Sequence, residues 1–181
     1  MTKRIVAGID YSMSSPAICV HTGNSWSIEN CTFYFLTAKR RSVVKAWPFF
    51  SDEHKDFFCQ QERFDNISEW AVSSIPRGAE VYMEGYSYAS TGVVFDIAEN
   101  TGLLKHKLWE IAQPIIVFSP PSIKKFATGK GNANKELMFD AFIKETGKKF
   151  DALLNCKVGN SPLSDVVDAY YVAKFGFNST N

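Results

Sequence analysis

The sequence predicts an α/β fold: a mixed five-stranded sheet, strand order 3-2-1-4-5, flanked by helices. Three observations carry this reading. Short apolar runs alternate with segments of helical period. The first three runs follow one another through tight turns, as in an antiparallel meander. The last two are each reached through a helix, the connection that parallel strands need. The chain has 181 residues, 45% of them hydrophobic and 15 of them Phe, enough to build one sizeable core. Disorder is excluded as the overall class. No apolar run approaches the ~18 residues of a membrane span, and the N-terminus lacks the apolar stretch of a signal peptide. A soluble cytoplasmic protein without membrane partners is expected.

The elements follow in order. Ile5-Val6-Ala7-Gly8-Ile9 suits a strand covered on both faces, and it ends in Asp10. Residues 11–15 form a polar turn into a second strand over 16–21. Thr22-Gly23-Asn24 turns into a third strand over 25–36. Residues 39–51 contain Lys39-Arg40-Arg41 and Trp47-Pro48-Phe49-Phe50, show no period, and read as a loop or insertion. A helix over 52–74 is expected from Phe57, Phe58, Phe64, Ile67, Trp70 and Ala71, and Pro76-Arg77-Gly78 stops it. The fourth strand, 80–83, leads into Glu84-Gly85. Residues 91–111 read as a long helix in which Gly102 suggests close packing. The fifth strand covers 113–118. A short helix near 122–127, a glycine loop at Gly129-Lys130-Gly131 and a helix over 134–145 come next. A closing helix over 164–175 takes Ser164 as its N-cap.

Cys19, Cys31, Cys59 and Cys156 show no CxxC pairing, and His21, His54 and His106 are equally scattered, so reduced thiols are expected and a structural zinc site is not. The formal net charge of +1 conceals a sorted distribution: residues 1–104 carry a net −3, residues 105–157 a net +5 and the remainder −1.

Strand order places the first and fourth strands side by side, and both end in an acid. Asp10 and Glu84 therefore sit at carboxyl ends of apolar strands, where open α/β sheets place their sites. Asp165 and Asp168 are three apart on the closing helix and share one face, which Val166, Val167 and Ala169 turn toward the sheet. Four carboxylates brought together repel strongly, and a divalent cation resolves the conflict. Mg²⁺ favours carboxylate oxygen and leaves room for a substrate phosphate. Two such ions ~3.5–4 Å apart suit phosphodiester hydrolysis.

The basic stretch supplies the complement. Residues 119–135 place Lys124, Lys125, Lys130 and Lys135 around flexible glycines directly after a strand, where ammonium and backbone N–H groups can hold phosphates. The spacing of Gly129-Lys130-Gly131 is not that of a nucleotide-binding P-loop. Tyr86 and Tyr88, just after Glu84, are candidates for stacking on bases, and equally for ordinary core or interface rings.

These residues resemble the RuvC family of Holliday junction resolvases, within the RNase H-like superfamily, including its compact phage-encoded members. The resemblance runs through Gly8-Ile9-Asp10, Tyr82-Met83-Glu84-Gly85, Ser119-Pro120-Pro121-Ser122-Ile123-Lys124, Gly129-Lys130-Gly131-Asn132-Ala133-Asn134-Lys135 and Asp165-Val166-Val167-Asp168-Ala169. It implies an RNase H-like fold and a homodimer that nicks two strands of a four-way DNA junction symmetrically with Mg²⁺ or Mn²⁺, two ions per active site. It also implies that Asp10, Glu84, Asp165 and Asp168 are the metal-binding catalytic acids and that Lys124 and Lys135 contact DNA. The setting would be a bacterial cytoplasm or a phage-infected host. Tyr11-Ser12 replaces the Pro-Gly common in bacterial members. The family's aromatic wedge position falls on Ser87, between Tyr86 and Tyr88. The chain looks longer than compact members between Asp10 and Glu84, which implies one nuclease domain over 1–181 with an insertion at about 38–60. The apolar positions of 91–111 are expected to form the dimer interface. Two other readings stay open: a less selective nuclease of branched DNA or flaps, and a non-catalytic DNA-binding module. An actin-like kinase would need a larger second domain than 181 residues allow.

Overall fold

The computed structural model describes residues 2–38, 44–85 and 94–179. Its centre is a mixed sheet of order β4-β5-β3-β2-β1-β6-β7. The strands are β1 (Ile5–Asp10), β2 (Ala17–Thr22), β3 (Cys31–Thr37), β4 (Lys45–Ala46), β5 (Phe49–Glu53), β6 (Glu80–Glu84) and β7 (Ile115–Phe118). β1 pairs antiparallel with β2 and parallel with β6, β2 pairs antiparallel with β3, and β7 runs parallel to β6. The expected order 3-2-1-4-5 is therefore the stretch β3-β2-β1-β6-β7, extended at one end by two further strands.

Those two strands correct the reading of 39–51 as irregular. β5 lies parallel to β3, with Phe49 opposite Phe33, and β4 pairs antiparallel with β5 at the edge. Phe49 is buried because its ring meets Phe33, at 5.6 Å between centroids, and Phe150, at 4.7 Å. The partners are distant in sequence, so no local period announces the strand.

Helices cover both faces. α1 (Gln60–Ser74) and α2 (Val94–Glu110) lie on one; α3 (Pro120–Thr128), α4 (Lys135–Thr146), the short α5 (Phe150–Leu153) and α6 (Leu163–Ser179) lie on the other. Strand periodicity sorts the core accordingly. Val6, Ala17, Cys19, Phe33, Phe35 and Tyr82 join the α6 side, while Ala7, Ile9, Ile18, Val20, Val81 and Met83 join the α1–α2 side. α1 starts at Gln60 rather than 52. Phe58 is fully exposed, and its N–H donates to Glu62 Oε2 at 2.6 Å, so the ring taken as a helical apolar position precedes the helix. β3 starts at Cys31 because a 3₁₀ turn (Ile28–Asn30), capped by Ser27, occupies the residues before it. Ser164 lies inside α6, which begins at Leu163, and so is not its N-cap. Gly102 faces open space: a Cβ there would meet nothing within 4 Å, so it is no close-packing point within the chain. All four cysteines are free thiols. Among the described residues, no helix is long and apolar enough to cross a membrane.

The packing that matters most is α6 on β1. A Cβ at Gly8 would collide with the backbone N of Ala173 and carbonyl oxygen of Ala169, and one at Gly176 would enter the Tyr82 ring. Glycine at these two positions lets the helix axis approach the sheet more closely than side chains would permit. Almost the whole inner surface of α6 is buried, from Leu163 to Phe177.

Candidate active site

Parity and register place the acids. Val6 and Tyr82 face α6, so Asp10 and Glu84, an even number of residues further along β1 and β6, face the same side. Gly8 pairs with Tyr82 and Ile9 with Met83, so Asp10 and Glu84 follow as neighbours at the strand ends. The first turn of α6 brings in Asp165 and, one turn on, Asp168.

Their electrostatics show mutual influence. Asp10 is pushed well above the ordinary carboxylate range, first by burial and then by the charges of Asp168, Asp165 and Glu84, with Lys135 opposing. Asp168 is pushed up to about 7 by burial and by Glu84 and Asp165, against Lys135 and Lys124. Glu84 is raised by burial, and Lys124 opposes the rise. Buried acids that raise one another's pKa lack countercharge. Their donors are all hard carboxylate oxygens, the set that suits Mg²⁺ or Mn²⁺. Among the described residues no three His, Cys, Asp or Glu side chains form a ready-made ligand cluster, so the acids approach without closing into a cage.

Asp165 is buried and held by hydrogen bonds. Ser15 Oγ donates to its Oδ2 at 2.7 Å and Ser164 Oγ to its Oδ1 at 3.3 Å. Lys135 Nζ donates to Ser164 Oγ at 3.0 Å, linking the first residue of α4 to the first turn of α6. Asn134 sets that lysine's position by capping α4, its side chain accepting from Leu137 N at 3.0 Å. Lys124 reaches the site from α3, whose N-cap is Ser119 and whose last residue is followed by Gly129 at φ +80. Thus Lys124 and Lys135 lie where they act on the acids, whereas Lys125 and Lys130 stand exposed. Tyr86 and Tyr88 fall outside the described residues.

Two groups went unread in the sequence. Ser15 sits in the turn between β1 and β2 and meets Asp165 across 150 residues, so no local spacing could reveal it. Ser164 adjoins an acid, but its position suggested a cap. Beside Asp10, the buried Tyr11 hydroxyl donates to Asn100 Oδ1 at 3.1 Å, tying the end of β1 to α2.

No protein-family model and no curated protein matches the chain. Solved structures do. The RuvC structure from Thermus thermophilus is 19% identical, covering 97% of this chain and 95% of its own, at a TM-score of 0.59. The same protein in complex with a Holliday junction substrate is 19% identical over 97% and 94%, at 0.63. A Fowlpox virus resolvase in complex with Holliday junction DNA is 14% identical over 97% and 98%, at 0.55. The likeness spans nearly the full length of each and shows that the chain has the RuvC fold.

Proposed function

We propose that this protein is a structure-selective endodeoxyribonuclease that resolves four-way DNA junctions by paired, symmetric nicks. The observation that carries the reading is the convergence of Asp10, Glu84, Asp165 and Asp168, each of the first two at a strand end and the others on α6, in a fold shared with proteins solved on Holliday junction DNA. The four carboxylates would hold Mg²⁺ or Mn²⁺, two ions per site. Bound divalent ions supply Lewis-acid stabilisation to a phosphodiester whose bond to the 3′ oxygen is being broken by water. The chain's own part is to aim the carboxylates, through Ser15 and Ser164, and to bring positive charge to the phosphate. Lys135 and Lys124 do this beside the acids, and Lys125 and Lys130 extend the path along exposed backbone contacts. Tyr86 and Tyr88 are assigned to bases at the branch. Two copies would pair through α2, whose Phe95 and Trp109 are exposed. The chain acts as one nuclease domain with residues 38–60 inserted, in a bacterial or phage-infected cytoplasm.

The test compares a synthetic four-way junction, a fork and a linear duplex in Mg²⁺, with wild type beside Asp10→Asn and binding followed in parallel. Paired nicks confined to the junction are expected, with at least about a thousandfold loss in the variant while binding persists. Equal cutting of all three substrates would instead identify a broader nuclease. Tight binding without cutting in Mg²⁺ or Mn²⁺ would leave a DNA-binding module.

A further inference from the structure

β5 runs parallel to β3, and both run with β1, so the carboxyl end of β5 emerges on the same sheet edge as Asp10 and Glu84. The chain then crosses that edge over residues 54–59 before entering α1. Two side chains of this crossing and the first turn of α1 reach the turn between β1 and β2. Arg63 donates a guanidinium N–H to the carbonyl oxygen of Met13 at 2.8 Å. His54 Nε2 lies 2.9 Å from the carbonyl oxygen of Ser14, which can only accept, so Nε2 carries the proton. Burial lowers the His54 pKa, with the nearby Arg63 charge adding to it and the hydrogen bond to the Ser14 carbonyl opposing. Arg63 is itself steadied over the Phe57 ring, 5.4 Å from its centroid. The next residue in the turn is Ser15, whose N–H donates to Ser12 Oγ at 3.0 Å and whose Oγ donates to Asp165 at 2.7 Å.

We propose that Arg63 and His54 are positioning residues of the acidic site, fixing the β1–β2 turn so that Ser15 aims the Asp165 carboxylate. The inference rests on the reading that the four acids hold divalent cations. It assigns work to the segment between β3 and α1 together with the first turn of α1: His54 from the one and Arg63 from the other close a path from the sheet's added edge to a candidate ligand on α6. A turn has few buried contacts of its own, so two hydrogen bonds to successive carbonyls decide where its next side chain points.

The experiment titrates Mn²⁺ and Mg²⁺ against the full chain without DNA and reads the cation-dependent rise in melting temperature. Ser15→Ala should weaken the midpoint about tenfold or more, the size of effect seen when a group orienting a metal ligand is lost. Arg63→Met and His54→Leu should each weaken it about three- to tenfold, and Arg63→Lys and His54→Gln, which keep a donor, should restore most of it. Arg63→Met should add nothing in the Ser15→Ala background, because both act through one hydroxyl. Wild-type midpoints in Arg63→Met and His54→Leu, or a full Arg63→Met penalty persisting without Ser15, would overturn the proposal while leaving the metal reading intact. Should one variant melt too low to titrate, the other, with its independent hydrogen bond, decides. A wild-type melt that neither cation moves would overturn the metal reading itself, and this inference with it.

Discussion

On one face of the sheet, α6 lies so close to β1 that a methyl group at Gly8 would strike its backbone. On the other, α1 and α2 rest on Phe64, Ile67, Leu104 and Leu108 and leave a groove of ≈ 930 Å³ lined in part by Leu36, Trp70 and Ile111. Charge is treated differently as well. Lys107 on the looser face meets its acids directly, Asp65 at 2.6 Å and Glu69 at 3.9 Å. The tight face buries Asp165 and partly covers Asp10, Glu84 and Asp168, with Lys135 and Lys124 opposing their charge. The difference teaches how a protein keeps acids in an unfavourable place. Repelling carboxylates relax by moving apart, and they stay together only where the backbone carrying them has no room to retreat. The glycines of the tight face remove that room.

The sharpest way to break the comparison is therefore at Gly8. Gly8→Ala places a Cβ against backbone atoms of Ala173 and Ala169, which no rotamer change can relieve. Overpacking of this kind costs about 3 kcal/mol or more, a fall in melting temperature on the order of 10 °C for a chain of this size. Thermal unfolding followed by circular dichroism measures it. A loss below about 2 °C would mean that α6 can ride outward, and the tight face would lose its claim to hold the acids.

A smaller effect, opposite in sign, is expected at Asp168. Its carboxyl is pushed up to about 7, from an unfolded value of ~3.9. Between those pH values the folded protein binds the proton and the unfolded chain does not. Without metal, stability is fully present below about pH 4 and declines as pH rises through 7. Asp168→Asn removes the charge and flattens that decline. At pH 8 in a chelator the variant should melt higher than wild type by on the order of 5 °C, and at pH 4 the two should nearly coincide. Mg²⁺ should raise the wild-type melt more than the variant's. A variant that melts lower at pH 8 would show that the carboxylate is already satisfied.

What the sequence disclosed follows the same division. Asp10 and Glu84 were legible because each directly follows a short apolar run, and strand carboxyl ends are where open α/β sheets place their sites. Asp165 and Asp168 were legible because three residues on a helix return to one face. These are local rules. β4 and β5 were not legible, because Phe49 is buried by rings on β3 and α5 that no local pattern connects to it, and Pro48 interrupts the run before it. Nor was Ser15, since a serine in a polar turn looks alike whether it meets solvent or a carboxylate 150 residues away. The helix expected over 52–74 is longer than α1 because Phe57 and Phe58 mimic its apolar period while lying before it. Acids at strand ends and on one helix face can be read from local rules; a side chain that meets one of them across 150 residues cannot.

The mildest substitution asks whether the looser face has a partner. Gly102 sits in the interior of α2, exposed, with nothing within 4 Å of where a Cβ would stand. Helix interiors prefer alanine to glycine by up to about 1 kcal/mol, chiefly because glycine has more freedom to lose on folding. For a single copy, Gly102→Ala should thus raise the melting temperature by about 2–4 °C. The same helix carries the exposed Phe95 and Trp109, the side chains assigned above to a second copy. If two α2 helices cross at Gly102, the added methyl group holds them apart. Sedimentation would then show the dimer weakening, and the melting temperature would fall with dilution. A rise in melting temperature with the association state unchanged would mean that no second helix crosses α2 at Gly102. The open space beside Gly102 would then be unused, in contrast to the space at Gly8, where α6 occupies all of it.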